Sequence, residues 1–255
     1  MRLVELACKN AFEEAERVTS REEKHHGTIN LLGKMLSIDP PGRIESFDIS
    51  NISGTAIVAS MVVFEDGKPK KKDYKRFKIE ALTNQDDYES MRQVVRRRFS
   101  HYKAGDSGFD VAPDLLLIDG GIAHARAAVE ALDQIGLRMR VFGMVKDDRH
   151  RTRALVTSEG EEIAIDSNQT VFSFIGSVQE ETHRFAITYH RQLRSKRLKY
   201  SELDSIPGIG PKRKQELLKT FKSLTAIGQA SMDELERILP KDAAAAVYHH
   251  FHTQE

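Results

Sequence analysis

The sequence carries a single cysteine, Cys8, in 255 residues. One thiol excludes an internal disulfide and a cysteine-based zinc site, and it fits a reducing, cytoplasmic setting. Charge of one sign is not in excess either: 39 Lys+Arg stand against 38 Asp+Glu. Net charge therefore names no partner, and any basic surface must be local. Long apolar runs are missing. No segment approaches the ~18 residues that span a bilayer, and the N-terminus lacks the apolar core of a signal peptide, so no membrane association is expected. Neither G-x-G-x-x-G nor a Walker A motif occurs, which leaves nucleotide binding without local support. What is present is 40% hydrophobic and 30% charged, ordinary for a soluble chain with a real core.

Residues 1–40 read as a helical lead-in, with Leu3, Leu6, Ala7, Ala11, Ala15 and Val18 spaced for one face, ended by "SIDPPG". Three strands follow without an intervening helix: Arg43–Ser50, Thr55–Phe64 and, after the hairpin signal "EDGK", the basic alternating stretch 71–80, which has the pattern of an edge strand. Helix 85–102 comes next. "PDLLLIDGG" supplies a fourth strand, apolar without alternation and so buried on both faces. Helix 122–137, strand 140–145, a small hairpin around Gly160 and a long helix from Asn168 to Leu198 complete the pattern. Antiparallel strands followed by helix–strand alternation predict an α/β mixed sheet with helices on its faces. Beyond Lys199, "LDSIPGIGPKRKQELLKTF" reads as helix, Gly-rich turn, helix, a second domain of about 50 residues.

Three carboxylates hold informative places. Asp48 lies inside the first strand in "SFDISN", Asp119 ends the fourth, and Asp87 opens a helix in "TNQDDY". If the first and fourth strands are neighbours, Asp48 and Asp119 can share a hard cation such as Mg2+, which prefers oxygen ligands and can activate water for phosphodiester hydrolysis. Each also has a plainer reading. Asp87, three residues after Asn84, is equally the third residue of a helix cap. Asp119 can cap the helix after Gly121. Asp48, flanked by Phe47 and Ile49, is costly to bury unless paired or metal-bound. His183 lies off the apolar stripe of its helix, and spacing alone favours a solvated ring. Lys146, just after a strand, can meet a phosphate, but many exposed lysines stand in such places. A receiver-type phosphoacceptor domain also uses a strand-end Asp, Mg2+ and a Lys; the helix-free run from Arg43 to Glu80 argues against it. In the C-terminal segment Gly208 and Gly210 form a tight turn, and Lys212, Arg213 and Lys214 open the next helix. Glycines permit close approach, the helix start offers unpaired N–H groups to an anion, and the cations add salt-sensitive attraction to DNA.

Taken in order, "RIESFDISNISGT", "DDYESMRQVVRRRF", "PDLLLIDGG", "EETHRFAITYHR" and "LDSIPGIGPKRKQELL" resemble the C-terminal half of the UvrC family, the incision subunits of bacterial nucleotide excision repair, over nearly the whole chain. The resemblance implies an RNase H-like endonuclease domain over residues 41–198 and a tandem helix-hairpin-helix domain over 199–255. It implies incision on the 5′ side of a lesion with Mg2+ or Mn2+, a metal held by Asp48, Asp119 and His183, and Asp87 as a further acidic position. It also implies damaged, bubble or junction DNA as the partner and UvrB in the incision complex. The family's N-terminal half, with its second nuclease and UvrB-binding segment, has no counterpart here, which points to a fragment of a longer chain. The second hairpin departs from the pattern, with Pro240, Lys241 and Asp242 in place of a glycine turn. Glycines after Asp119 are expected to leave room for a DNA backbone. The competing reading is a DNA-binding module without catalysis.

Overall fold

The computed structural model describes residues 19, 22–52, 56–79 and 86–252, with 51–52, 56 and 190–201 described by backbone alone. Cys8, Asn84 and the expected apolar face from Leu3 to Val18 lie outside these residues. Two compact units result, Met1–Ile187 and Thr188–Glu255.

The first unit is built on one eight-stranded mixed sheet. Helix α1 covers 22–36; its Ile29, Leu32 and Leu36 are buried in the core, so this part of the lead-in belongs to the body of the domain. Strands β1 (Arg43–Ile52) and β2 (Ala56–Glu65) pair antiparallel along their full length. A two-residue turn at Asp66 and Gly67, both at positive φ (49° and 75°), leads into β3 (Lys68–Pro69); two consecutive left-handed residues match the twist of a hairpin. The stretch 71–80 is not one strand as its alternation suggests. Lys71–Asp73 forms a 3-10 turn, and only Lys75–Lys78 is strand, β4, also paired with β2. Arg43, Lys70 and Asp73 explain the break: Asp73 accepts from Arg43 Nη1 at 2.7 Å and folds the segment back.

Helix α2 (Asp87–Ala104) follows, then β5 (Leu115–Ile118), α3 (Ile122–Gln134), β6 (Val141–Lys146), β7 (Thr152–Val156), β8 (Glu162–Ala164) and α4 (Gln169–Asp204). The order across the sheet is β3-β2-β1-β5-β6-β7-β8. The pairs β1–β5 and β5–β6 are parallel. Strand β5 is buried at every position because its side chains alternate between two cores. Leu116 and Ile118 pack with α2 and α3; Leu115 and Leu117 pack with α1 and α4. Two ties fix the elements that matter later. Arg98 of α2 reaches Glu45 of β1 through two hydrogen bonds, 2.7 and 3.0 Å, with both side chains essentially unexposed. Thr182 of α4, buried, lies 3.0 Å from the Ser46 hydroxyl of β1.

The second unit contains α5 (Pro211–Phe221), α6 (Leu224–Gly228), α7 (Met232–Glu236) and α8 (Lys241–His252). Leu203, Ile206, Leu217, Leu235 and Val247 are buried together, with Ile238 and Phe251 against them.

Candidate active site

Asp48 sits on β1, level with the carboxyl end of β5. The parallel register aligns Phe47 with Ile118, and the Asp119 N–H donates to the Phe47 carbonyl at 2.8 Å. The expected neighbour relation therefore holds. Burial raises the Asp48 carboxyl above the ordinary aspartate range, and the charge of Asp119 raises it further; a hydrogen bond from Ser50 and the nearby His183 and Lys146 pull it down. Ser50 is two residues along the strand, on the same face, and this period-2 spacing was the signal for it.

The Asp119 side chain is only 5% exposed, and its Oδ1 has no hydrogen-bond partner. Lys146 Nζ, from the end of β6, lies 2.7 Å from that oxygen. The contact is an ion pair outside hydrogen-bond angles, and the Lys146 ammonium is the one partner that meets this oxygen among the described residues. Asp119 does not cap α3. The N-cap is Gly121, and no side chain bonds the helix start. A groove of about 820 Å³ is lined by Asp119, Lys146 and His183, among others, and His183 is exposed. The structure thus brings Asp48, Asp119, His183 and Lys146 together.

Asp87 stands one step away. It is the exposed first residue of α2, not the third of a cap; Asp86 is the N-cap and accepts from the Tyr88 and Glu89 N–H groups, each at 3.0 Å. The charge of Asp87 reaches His124, which also feels Asp119 and packs against Tyr88 with ring centroids 4.8 Å apart and the planes tilted by 59°. Burial lowers the His124 pKa while both acids raise it. His124 had no reading in the sequence; its place in the first turn after the Asp119 loop was the available signal. It also accounts for Gly120, whose Cβ would meet the His124 ring at 2.5 Å. The space at Gly120 is therefore taken by this chain's own imidazole, whereas Gly121 faces open space. Gly143 on β6 lets the loop come close, since a Cβ there would lie 2.6 Å from the Gly120 carbonyl.

The donor chemistry fits a hard divalent cation: two carboxylates on adjacent parallel strands, one with an orphaned buried oxygen. Among the described residues no three His, Cys, Asp or Glu side chains stand in ready ligand geometry, and Lys146 supplies the positive charge at Asp119.

In the second unit Gly208 has φ +81°, a conformation that demands glycine, and Arg213 Nη1 donates to its carbonyl at 2.7 Å. Gly210 is the N-cap of α5 in extended conformation, and a Cβ there would meet nothing within 4 Å. Lys212 is exposed. Lys214 is buried and its ammonium pairs with Asp204, so its charge is turned toward the unit's own acid and not toward a ligand.

An open mixed sheet with one acid inside a strand, a second at the carboxyl end of its parallel neighbour, and a helix carrying His183 near both is the arrangement of an RNase H-like nuclease. A family model described as the UvrC RNase H endonuclease domain matches residues 33–187, and the chain belongs to that family. It is 47% identical to the UvrABC system protein C of Streptococcus equi subsp. zooepidemicus over 257 residues, 97% of this chain and 42% of that protein. It is 41% identical to that of Acetivibrio thermocellus over 277 residues, 100% of this chain and 44% of that protein. The chain thus spans less than half the length of the curated relatives it matches. Among solved structures, a DNA complex of Ciona intestinalis endonuclease V is similar at 16% identity with a TM-score of 0.33, covering 52% of this chain and 59% of that one. No helix among the described residues is long and apolar enough to cross a membrane.

Proposed function

We propose that this chain hydrolyses a phosphodiester bond of damaged DNA, as the part of a nucleotide excision repair subunit that makes the 5′ incision. The observation that carries the reading is the Asp48–Asp119 pair, buried on neighbouring parallel strands with one Asp119 oxygen held by no hydrogen bond and met only by the Lys146 ammonium. Asp48, Asp119 and His183 would hold Mg2+ or Mn2+, which when bound activates water and offsets charge on the phosphate. Burial first, and the charge of Asp119 after it, raise the Asp48 carboxyl, and a bound cation would offset both. Lys146, in ion-pair contact with Asp119, would place a positive charge beside the phosphate. Thr182 ties α4 to Ser46, two residues from Asp48, and so sets the height of His183 over the acids. The second unit holds flanking backbone through the α5 N-terminus and Lys212. UvrB is the partner in the whole assembly.

A non-cutting DNA-binding module would not require a buried acid pair. The decisive experiment incubates the chain with a lesion-bearing or bubble duplex labelled on the damaged strand, with Mg2+, with Mn2+ or with chelator. The reading expects metal-dependent product at one position 5′ to the lesion. Cleavage unaffected by chelator, or only on the 3′ side, overturns it.

A further inference from the structure

The stretch Lys68–Lys78 contains seven cations and one acid in eleven residues. Part of that charge is used internally: Lys68 pairs with Glu22, and Lys70 with Glu65. Lys75 lies over the Phe109 ring, 5.0 Å from its centroid. Arg76 and Lys78 are both exposed on β4, and the register of the sheet places them with care. Asp48 is opposite Ser60 on β2, and Ser60 is opposite Arg76 on β4; likewise Ser50 is opposite Val58, and Val58 opposite Lys78. Directly opposed residues project to the same face of a sheet. Arg76 and Lys78 therefore share the face of Asp48 and Ser50, two strands away, roughly 10 Å at the usual inter-strand spacing. Between Asp48 and Arg76 lies Ser60, whose hydroxyl is buried without a hydrogen-bond partner. Arg76 is also set against α4, with its guanidinium 4.0 Å from the Phe185 ring centroid, two residues beyond His183.

We infer that β4 is a docking edge for the sugar-phosphate backbone of the DNA being cut, with Arg76 and Lys78 holding phosphates beside the scissile one. This rests on the nuclease reading of Asp48 and Asp119. Two cations at fixed register from the acid pair set which phosphate reaches it, so they are positioning residues. Lysines on an edge strand also serve to block pairing with another chain, and the test must separate these roles.

DNA binding is measured with a bubble duplex at several salt concentrations on an Asp48→Asn background, so that no cutting is needed. Adding Arg76→Ala and Lys78→Ala together should lower the salt slope by about 2, close to one unit per phosphate contact. Lys78→Ala alone should lower it by about 1, which guards against disturbance of α4 through Phe185. With Asp48 restored, KM should rise more than kcat falls, and Arg76→Lys should recover part of the loss. An unchanged slope with unchanged thermal unfolding overturns the inference, as does an unchanged slope with new self-association, the mark of edge protection alone. Failure of wild-type cleavage would instead strike the nuclease reading and leave the binding measurement intact.

Discussion

Replacing Arg98 by Met should be the most damaging single change to the frame that carries Asp48. The guanidinium makes four hydrogen bonds: two to Glu45, one to the Phe109 carbonyl at 2.8 Å and one to the Val111 carbonyl at 2.7 Å. Arg98 is 1% exposed and Glu45 0%. Methionine fills similar space but leaves a buried carboxylate. Removing one partner of such a pair costs roughly 3–5 kcal/mol. Arg43 also reaches Glu45, at 3.2 and 3.3 Å, and the carbonyls sit in a loop whose Val111 is 46% exposed, where water can replace the lost bonds. The lower end applies, about 3 kcal/mol. For a unit of this size each kcal/mol moves the midpoint by about 2–4 °C, so thermal unfolding followed by circular dichroism should fall by roughly 6–12 °C. Adding Glu45→Leu should return part of that loss, because the orphaned charge goes with it. A single-variant drop of under 2 °C, or a double variant worse than the sum of its singles, refutes the claim that this buried pair organises β1 and α2.

Asp48→Asn should stabilise the metal-free protein. The folded-state pKa of Asp48 is raised, so its favourable contribution is present below the unfolded-state pKa and lost as pH rises through the folded value. At neutral pH the ionised group is a net cost, and the variant should melt above wild type at pH 7 with a gap that narrows in acid; a lower midpoint at pH 7 contradicts this. His183→Ala should slow incision by ~10²-fold or more if the ring is a ligand or moves a proton, while a rate within twofold of wild type returns it to a solvated role. Gly210→Val should leave the fold intact and weaken DNA binding, since a Cβ there meets only open space, whereas Lys241→Ala should change binding little. Equal losses from both would make the two hairpins equivalent.

Much of this architecture was legible in the residues because the relevant signals are periodic. Leu115–Ile118 announced a strand buried on both faces, and the structure divides those four side chains between two cores. The mixed-sheet pattern allowed that strand to neighbour the one bearing Asp48 without requiring it, and the parallel register of the two strands realises that possibility. The basic stretch 71–80 was misread because alternation cannot report that Arg43, 28 residues or more upstream, captures Asp73 and turns the chain. Capping was misplaced by two residues for a similar reason: Asp86 and Asn84 are both good caps, and backbone geometry chose Asp86. Lys214 looked like its neighbours Lys212 and Arg213 in sequence, but the helical period turns it inward to Asp204. Ser60 was invisible because its importance is set by register alone, and His124 left only its place in the first turn after the Asp119 loop, since what it fills is decided by a loop packed against Gly143.

The central claim is that Asp48 and Asp119 jointly hold a divalent cation for strand cleavage. Its most direct test titrates Mn2+ into wild type, Asp48→Asn and Asp119→Asn, following the unfolding midpoint and incision of a bubble duplex in the same samples. Mn2+ should raise the wild-type midpoint and switch on incision over one concentration range, while in both variants the midpoint stays flat and no product forms although DNA binding persists. Incision by either variant at the wild-type rate, or a wild-type midpoint indifferent to Mn2+ while cutting proceeds, would contradict the account.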